Sequence, residues 1–129
     1  MASRKIEDLH PDLQNPAREF VIECEREGIP VLIYMTYRSN EEQNELYARG
    51  RTAPGRKVTN AKGGQSDHNF TINGKPASKA FDAVPTIDGK PVWVASSPLW
   101  DKMGAIAKKV GLRWGGDWKG FVDKPHCYI

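Results

Sequence analysis

Few residues in this chain could do chemistry. It carries three histidines, His10, His68 and His126. Imidazole is the commonest metal ligand and titrates near neutrality, so each is a candidate for metal binding or proton transfer. Two histidines and a carboxylate around an ion with one open position are what hydrolytic zinc requires. The carboxylates nearest the histidines in sequence are Asp67, Asp82, Asp117 and Asp123. Spacing alone does not choose among them, and the competing reading gives each histidine an ordinary hydrogen bond at the surface or in the core. His10, just before Pro11, reads as part of the N-terminal structure. Cys24 and Cys127 form no CxxC pair and no disulfide framework, so two free thiols are expected.

The elements that must position these residues are legible in outline. Asn15-Pro16 reads as a helix start, with apolar Ala17, Phe20, Val21 and Cys24 on one face and Gly28 as the cap. Residues 29–35 (IPVLIYM) read as a buried strand. Ser39 and Glu42 form a capping box, opening a helix that carries Gln43, Leu46 and Tyr47 and stops at Gly50. Residues 51–65 read as an exposed loop. Asn73-Gly74 and Asp88-Gly89 are two-residue hairpin signals. The segments TINGKPA and TIDGKPV look alike, but one recurrence does not make a repeat. Ser97-Pro98 opens the last helix and Gly111 closes it. The result is an α+β domain, two or three helices packed on a small, largely antiparallel sheet.

The 129 residues are one domain's worth of chain, 1–129, with 39% hydrophobic and 27% charged residues. That composition permits a core and argues against disorder. No apolar run approaches a membrane span. The start of the chain lacks a signal-peptide hydrophobic region, so no export label is expected. A net charge of +3 is a mild bias toward anionic partners and no argument for nucleic acid.

Four motifs occur in order: Ser66-x-His68-Asn69, Ala80-Phe81-Asp82, Trp114-Gly115-Gly116-Asp117-Trp118 and Asp123-x-Pro125-His126. Upstream stand Tyr37-Arg38-Ser39, Glu42-Gln43, Leu46-Tyr47 and Gly50-Arg51. From about Leu9 to His126 the chain resembles the LAS/VanY-type zinc peptidases, which include D-alanyl-D-alanine carboxypeptidases, dipeptidases and phage L-alanyl-D-glutamate endopeptidases. Their metal motifs read SxHxxGxAxD and (E/D)xPH or (E/D)xxH. The stretch Val58-Thr59-Asn60-Ala61-Lys62-Gly63-Gly64 is similar to the L-alanyl-D-glutamate branch. The chain departs from the pattern in one place. Thirteen residues separate His68 from Asp82, more than the family motif holds. A hairpin protrusion at about residues 71–79, leaving His68 and Asp82 adjacent on paired strands, is the expected account; Asp67 is the alternative carboxylate. Cys127 stands where the family often has an aromatic, as a small core residue or, less simply, as a ligand.

The resemblance implies a single-domain LAS/hedgehog-like fold with Zn²⁺ held by His68, Asp82 and His126. It makes Asp123 the general base and Arg38 the group that steadies the oxyanion. Ser66, Gln43, Asp117 and Trp114 would stand beside the ligands or along the substrate groove. A turn role competes for Asp117, and core packing for Trp114 and Trp118. The implied activity is hydrolysis of the L-alanyl-D-glutamate bond of peptidoglycan stem peptides by an endolysin. Such an enzyme is expected as a monomer in the host cytoplasm before lysis, reaching the wall after membrane permeabilisation, with no stable membrane association and no nucleic-acid partner. The rivals are a D-alanyl-D-alanine carboxypeptidase or dipeptidase and a non-catalytic zinc-containing wall-binding module.

Overall fold

Pro11, five residues before the expected Pro16, opens the first helix in the computed structural model, which describes residues 2–129. Helix α1 spans Pro11–Arg26, and the His10 ring accepts a hydrogen bond from the Asp12 N–H at 3.0 Å. Pro11 occupies the first turn, where a missing N–H costs nothing. Pro16 lies inside the helix and leaves the Asp12 carbonyl without its usual donor. The Asn-Pro pair was the more conventional start, and histidine is an unusual cap. Leu13, Ala17, Phe20 and Cys24 form the helix's buried stripe.

The other helices start and stop where their caps place them. Helix α2 spans Asn40–Ala48, and both bonds of the Ser39–Glu42 capping box are present. Helix α3 spans Pro98–Lys109, with Ser97 as its cap. Strands run in chain order as β1 (Val31–Met35), β2 (Thr71–Ile72), β3 (Lys75–Pro76), β4 (Ala80–Ile87), β5 (Lys90–Pro91), β6 (Arg113–Trp114) and β7 (His126–Tyr128). The main sheet has the order β1-β4-β7-β6 with β5 paired to β4, and every pairing is antiparallel. Strand β1 starts later than expected and is only half-buried. It lies at an edge of the sheet, where it shares less cover than a central strand. The continuously buried strand is β4, covered on both faces from Ala80 to Pro85.

The two look-alike segments fold alike. Thr71 pairs with Pro76 and Ile72 with Lys75, as Thr86 pairs with Pro91 and Ile87 with Lys90. Asn73-Gly74 and Asp88-Gly89 both turn with positive φ at each residue, the geometry that suits a two-residue hairpin. The first hairpin is the protrusion inside the long His68–Asp82 spacer. The chain leaves at Phe70 and returns at Ala77, whose N–H donates to the Phe70 carbonyl at 3.0 Å.

One face of β4 packs on the helices. Phe81 meets Phe20 of α1 with ring centroids 5.4 Å apart, and Trp100, Met103, Ile106 and Ala107 of α3 complete the core. Trp114 is wedged into this layer and donates its indole N–H to the Lys124 carbonyl at 2.7 Å. Gly104 and Gly116 leave room for its ring: a Cβ on either would lie within 2.4 Å of it. Changing Gly104 to Ala should therefore lower stability by about 1–3 kcal/mol through overpacking. Thermal denaturation that leaves the midpoint unmoved would show that the ring is not confined there.

Candidate metal centre

Strand register brings the first two groups together. Asp82 on β4 is the in-register partner of His126 on β7 and of Met35 on β1. Residues directly opposite on antiparallel strands project to the same face, so the Asp82 and His126 side chains converge. Asp82 Oδ1 lies 3.4 Å from His126 Nδ1.

His68 arrives from another direction. It sits in a 3-10 turn, Asp67–Asn69, rather than on a strand paired with β4. Ser66 caps that turn, its hydroxyl accepting the His68 N–H at 3.2 Å. Buried Asn69 locks it in place, its amide donating to the Arg38 carbonyl at 2.8 Å while its oxygen accepts from the Gly64 and Ser66 N–H groups. Past the hairpin, the Lys79 N–H returns to the Asp67 carbonyl at 2.9 Å, so the long spacer closes on itself. His68 Nε2 ends 3.3 Å from Asp82 Oδ1.

His68, Asp82 and His126 are all buried, and one ligand atom from each lies within 4.8 Å of the others. Their hydrogen bonding makes the case for a cation. His68 Nδ1 is 2.8 Å from the Thr36 carbonyl. A carbonyl only accepts, so Nδ1 carries the proton and Nε2 turns a lone pair toward Asp82. Asp82 Oδ1 is itself buried with no hydrogen-bond donor. Acceptors facing one another in a dry site are destabilising unless a positive charge lies between them. The nitrogen and oxygen donor set suits a divalent transition ion.

In the metal-free fold a proton on His126 supplies part of that positive charge. Burial alone would raise the Asp82 carboxyl, but the two imidazoles outweigh it and hold the group well below the usual carboxylate range. Burial opposes charge on His126, yet the facing carboxylates of Asp67 and Asp82 outweigh it and push the ring up to about 9. Asp67 faces the ring's other nitrogen, Nε2, at 3.9 Å, beyond hydrogen-bond reach, and its own pKa is lowered, chiefly by His126. Asp67 is therefore not in the three-residue cluster but behind one of its members.

Asp123 and Arg38 border the cluster. Asp123 Oδ2 is 4.0 Å from His126 Nδ1. Burial, then the charge of Asp82, raises its carboxyl above the ordinary value. The buried Arg38 guanidinium reaches Asp82 Oδ2 at 3.9 Å and touches the Met35 sulfur. Gln43 holds it from behind, accepting from Arg38 Nη1 at 2.6 Å. The Gln43 amide also donates to the Ala61 carbonyl at 2.8 Å. Gln43 is 0% exposed, so it joins Arg38 to the loop without facing the groove.

These groups lie in a groove of about 710 Å³ walled by Tyr34, Arg49, residues 58–61, Trp118, Lys119 and Phe121. Other expected residues fall elsewhere. Trp114 is core rather than groove wall, because its ring fills the space over two glycines. Asp117 is exposed and pairs with Lys108 at 3.0 Å, so it serves the surface end of α3. Cys127 pairs with Phe81 and belongs to the core cluster, facing away from Asp82. His10 caps α1. Sequence reasoning missed the placement of Asp67 behind His126 and the carbonyl of Thr36 behind His68. The adjacency of Asp67 to His68 was visible, but the partner lies nearly sixty positions away.

Comparison with known proteins gives the family. Residues 59–129 match the M15 peptidase family described as D-alanyl-D-alanine carboxypeptidase. The chain is 39% identical over 127 residues to the peptidoglycan L-alanyl-D-glutamate endopeptidase CwlK of Bacillus subtilis (strain 168), covering 92% of this chain and 72% of that protein. It is 31% identical over 122 residues to the L-alanyl-D-glutamate peptidase of Listeria phage A118, covering 94% of this chain and 38% of the phage protein. Its fold is similar to that of the Serratia marcescens L-Ala D-Glu endopeptidase ChiX, with TM-score 0.69 and 20% identity over 100% of this chain and 88% of that one. It is also similar to the LD-carboxypeptidase LdcB, with TM-score 0.64 and 18% identity over 100% and 73%. The sequence match and the relatives' coverage agree with the folded site: this chain belongs to the M15 peptidase family.

Proposed function

We propose that the chain is a zinc-dependent peptidoglycan endopeptidase that hydrolyses the L-alanyl-D-glutamate bond of stem peptides. The observation that carries it is the buried His68–Asp82–His126 cluster, whose facing acceptors call for a cation. The choice of bond rests on the CwlK and phage relatives, both named for it. His68 Nε2, Asp82 and His126 Nδ1 would hold Zn²⁺. When bound, such an ion with an open position supplies Lewis acidity and makes water nucleophilic at neutral pH.

The chain's own residues supply the rest. Asp123 takes a proton from the attacking water and delivers it to the departing amine, and its raised pKa brings it nearer the range useful for both steps. Arg38, fixed by Gln43, offers its guanidinium to the negative charge that develops on the carbonyl oxygen. Asp67 and the Thr36 carbonyl orient the two imidazoles from outside, as partners of metal-binding histidines do. A module that only recognised the wall would have no use for Asp123 and Arg38 beside the ligands. The same reading makes the chain a host-lysis enzyme, produced in the host cytoplasm and acting on the wall as a monomer; what supports it is a phage relative named as an L-alanyl-D-glutamate peptidase. No helix among the described residues is long and apolar enough to cross a membrane.

Digestion of purified peptidoglycan should yield new N-terminal D-glutamate by mass spectrometry; released D-alanine instead would select the carboxypeptidase reading. Changing His68, Asp82 or His126 to Ala should abolish bound metal and activity together, by elemental analysis and wall clearing. Asp123→Ala should keep its metal and lose about 10²-fold or more in turnover; full activity would remove Asp123 from the base role.

Metal uptake should also depend on pH. In the metal-free protein His126 holds a proton up to about 9, and the ion must displace it. Apparent affinity should therefore rise about tenfold per pH unit from neutrality and level off above the His126 pKa. The sign for stability is the reverse. A raised imidazole pKa stabilises the metal-free fold fully below its unfolded value of 6.5, and that contribution disappears as pH rises through about 9. Calorimetric titration across that range, with unfolding of the metal-free protein beside it, checks both.

A further inference from the structure

Trp93 is the one exposed tryptophan among the described residues, at 58%. Trp100 and Trp114 are buried, and Trp118 packs against His126 and Tyr128. An exposed indole on a mobile loop would mean little. This one is mounted. The carbonyls of the next two residues are both held by side chains of other elements: Trp100 Nε1 donates to Val94 at 3.1 Å, and Lys124 Nζ donates to Ala95 at 2.7 Å at the surface. Lys124 directly follows Asp123, so the segment is fastened beside the expected base. The Trp93 ring itself stands edge-on to Tyr34, with centroids 5.3 Å apart and an interplanar angle of 79°. Tyr34 lines the groove together with Asp82 and Asp123. Trp93 is therefore an outward continuation of the groove wall, one ring beyond Tyr34.

The substrate's chemistry says what such a shelf meets. Resting on the proposed cleavage at the L-alanyl-D-glutamate bond, the scissile alanine is the first residue of the stem peptide and is amide-linked to the lactyl group of an N-acetylated amino sugar. The sugar begins within about 7 Å of the scissile bond, two residue lengths. On the other side of that bond the stem carries free carboxylates, which suit cations. Arg49 lines the groove at the far end of α2, and nine helical residues carry it about 13 Å from the Arg38 end. Placing those carboxylates at Arg49 rather than at Lys119, which also lines the groove, sends the uncharged, sugar-bearing end toward Tyr34 and Trp93. A flat apolar ring with a donor N–H at its rim fits the C–H face of a pyranose and its hydroxyls.

We propose that Trp93, backed by Tyr34, is a subsite for the glycan, binding the amino sugar to which the cleaved stem peptide is attached. It makes the enzyme prefer stem peptides still joined to sugar over free peptides.

The test compares two substrates, a muramyl tripeptide and the same tripeptide with an N-acetyl group in place of the muramyl unit. Trp93→Ala should lower kcat/KM on the muramyl substrate roughly 3- to 10-fold, the scale of one lost stacking contact, with the sugar-free peptide unaffected. Trp93→Phe should restore most of the difference. An equal loss on both substrates would make Trp93 a support for Tyr34 and overturn the subsite, as would no loss on either. Titrating N-acetylmuramic acid alone against the protein adds a readout independent of cleavage. The indole N–H resonance missing from the Trp93→Phe spectrum should shift, and the other three should not; a Trp93 signal that stays put overturns the proposal. Wild-type protein that cleaves neither substrate would overturn the peptidase reading instead, leaving the sugar titration to decide the shelf.

Discussion

A carboxylate oxygen buried without a donor organises this molecule. Asp82 sits in the middle of the longest strand, in register with Met35 on one side and His126 on the other. Its Oδ1 meets only imidazole nitrogens, and one of them has its proton committed to the Thr36 carbonyl. Left uncompensated, such a group would cost several kcal/mol. The strand neighbours, the 3-10 turn and the capped helix α2 all serve to surround it with positive charge and with a place for an ion. That is also why β4 is buried on both faces: Phe81 faces the helices while Asp82 faces the site.

The surroundings of that carboxylate are tied into one piece. Asn69 connects the His68 turn to the Arg38 carbonyl, and Gln43 connects the Arg38 guanidinium to the loop at Ala61. Arg51 then stacks on Tyr47 and donates to the Thr59 carbonyl, holding the same loop two residues earlier. A long, glycine-rich and lysine-rich segment is in this way made into a groove wall. Charge stabilisation during a reaction depends on groups that need not reorganise, and these bonds hold Arg38 and the wall in fixed relation.

Relatives of the fold at about one-fifth identity keep the same overall path. The His68–Asp82 spacer shows how a long stretch of chain can be accommodated beside a candidate metal centre. Its middle residues form a hairpin whose two ends meet at Phe70 and Ala77, so the extra length cancels before the chain reaches β4. Insertions that close on themselves add little strain to what they interrupt. The same six-residue pattern recurs at the β4–β5 turn, and the repetition reflects local turn chemistry, since an Asn-Gly or Asp-Gly pair dictates the turn wherever it stands.

What the sequence determined alone was whatever depends on neighbours along the chain. The Ser39–Glu42 box, the Ser97-Pro98 start and both hairpins were readable because a few adjacent residues decide them. The identity of His68, Asp82 and His126 as a set was readable only through resemblance to a family, since spacing left four carboxylates open. Tertiary structure decided the rest. Asp117 and Trp114 share a motif with groove residues, yet one ends in a surface ion pair and the other in the core, because the turn at Gly115–Asp117 sends their side chains apart. The partners of the candidate ligands are equally illegible in one dimension: Thr36 supports His68 through a backbone carbonyl that any residue would carry. Asp67 gained its place behind His126 only when β7 was laid beside β4, for electrostatic and hydrogen-bond partners are chosen by distance in space, and the pattern of residue types encodes that distance only through the whole fold.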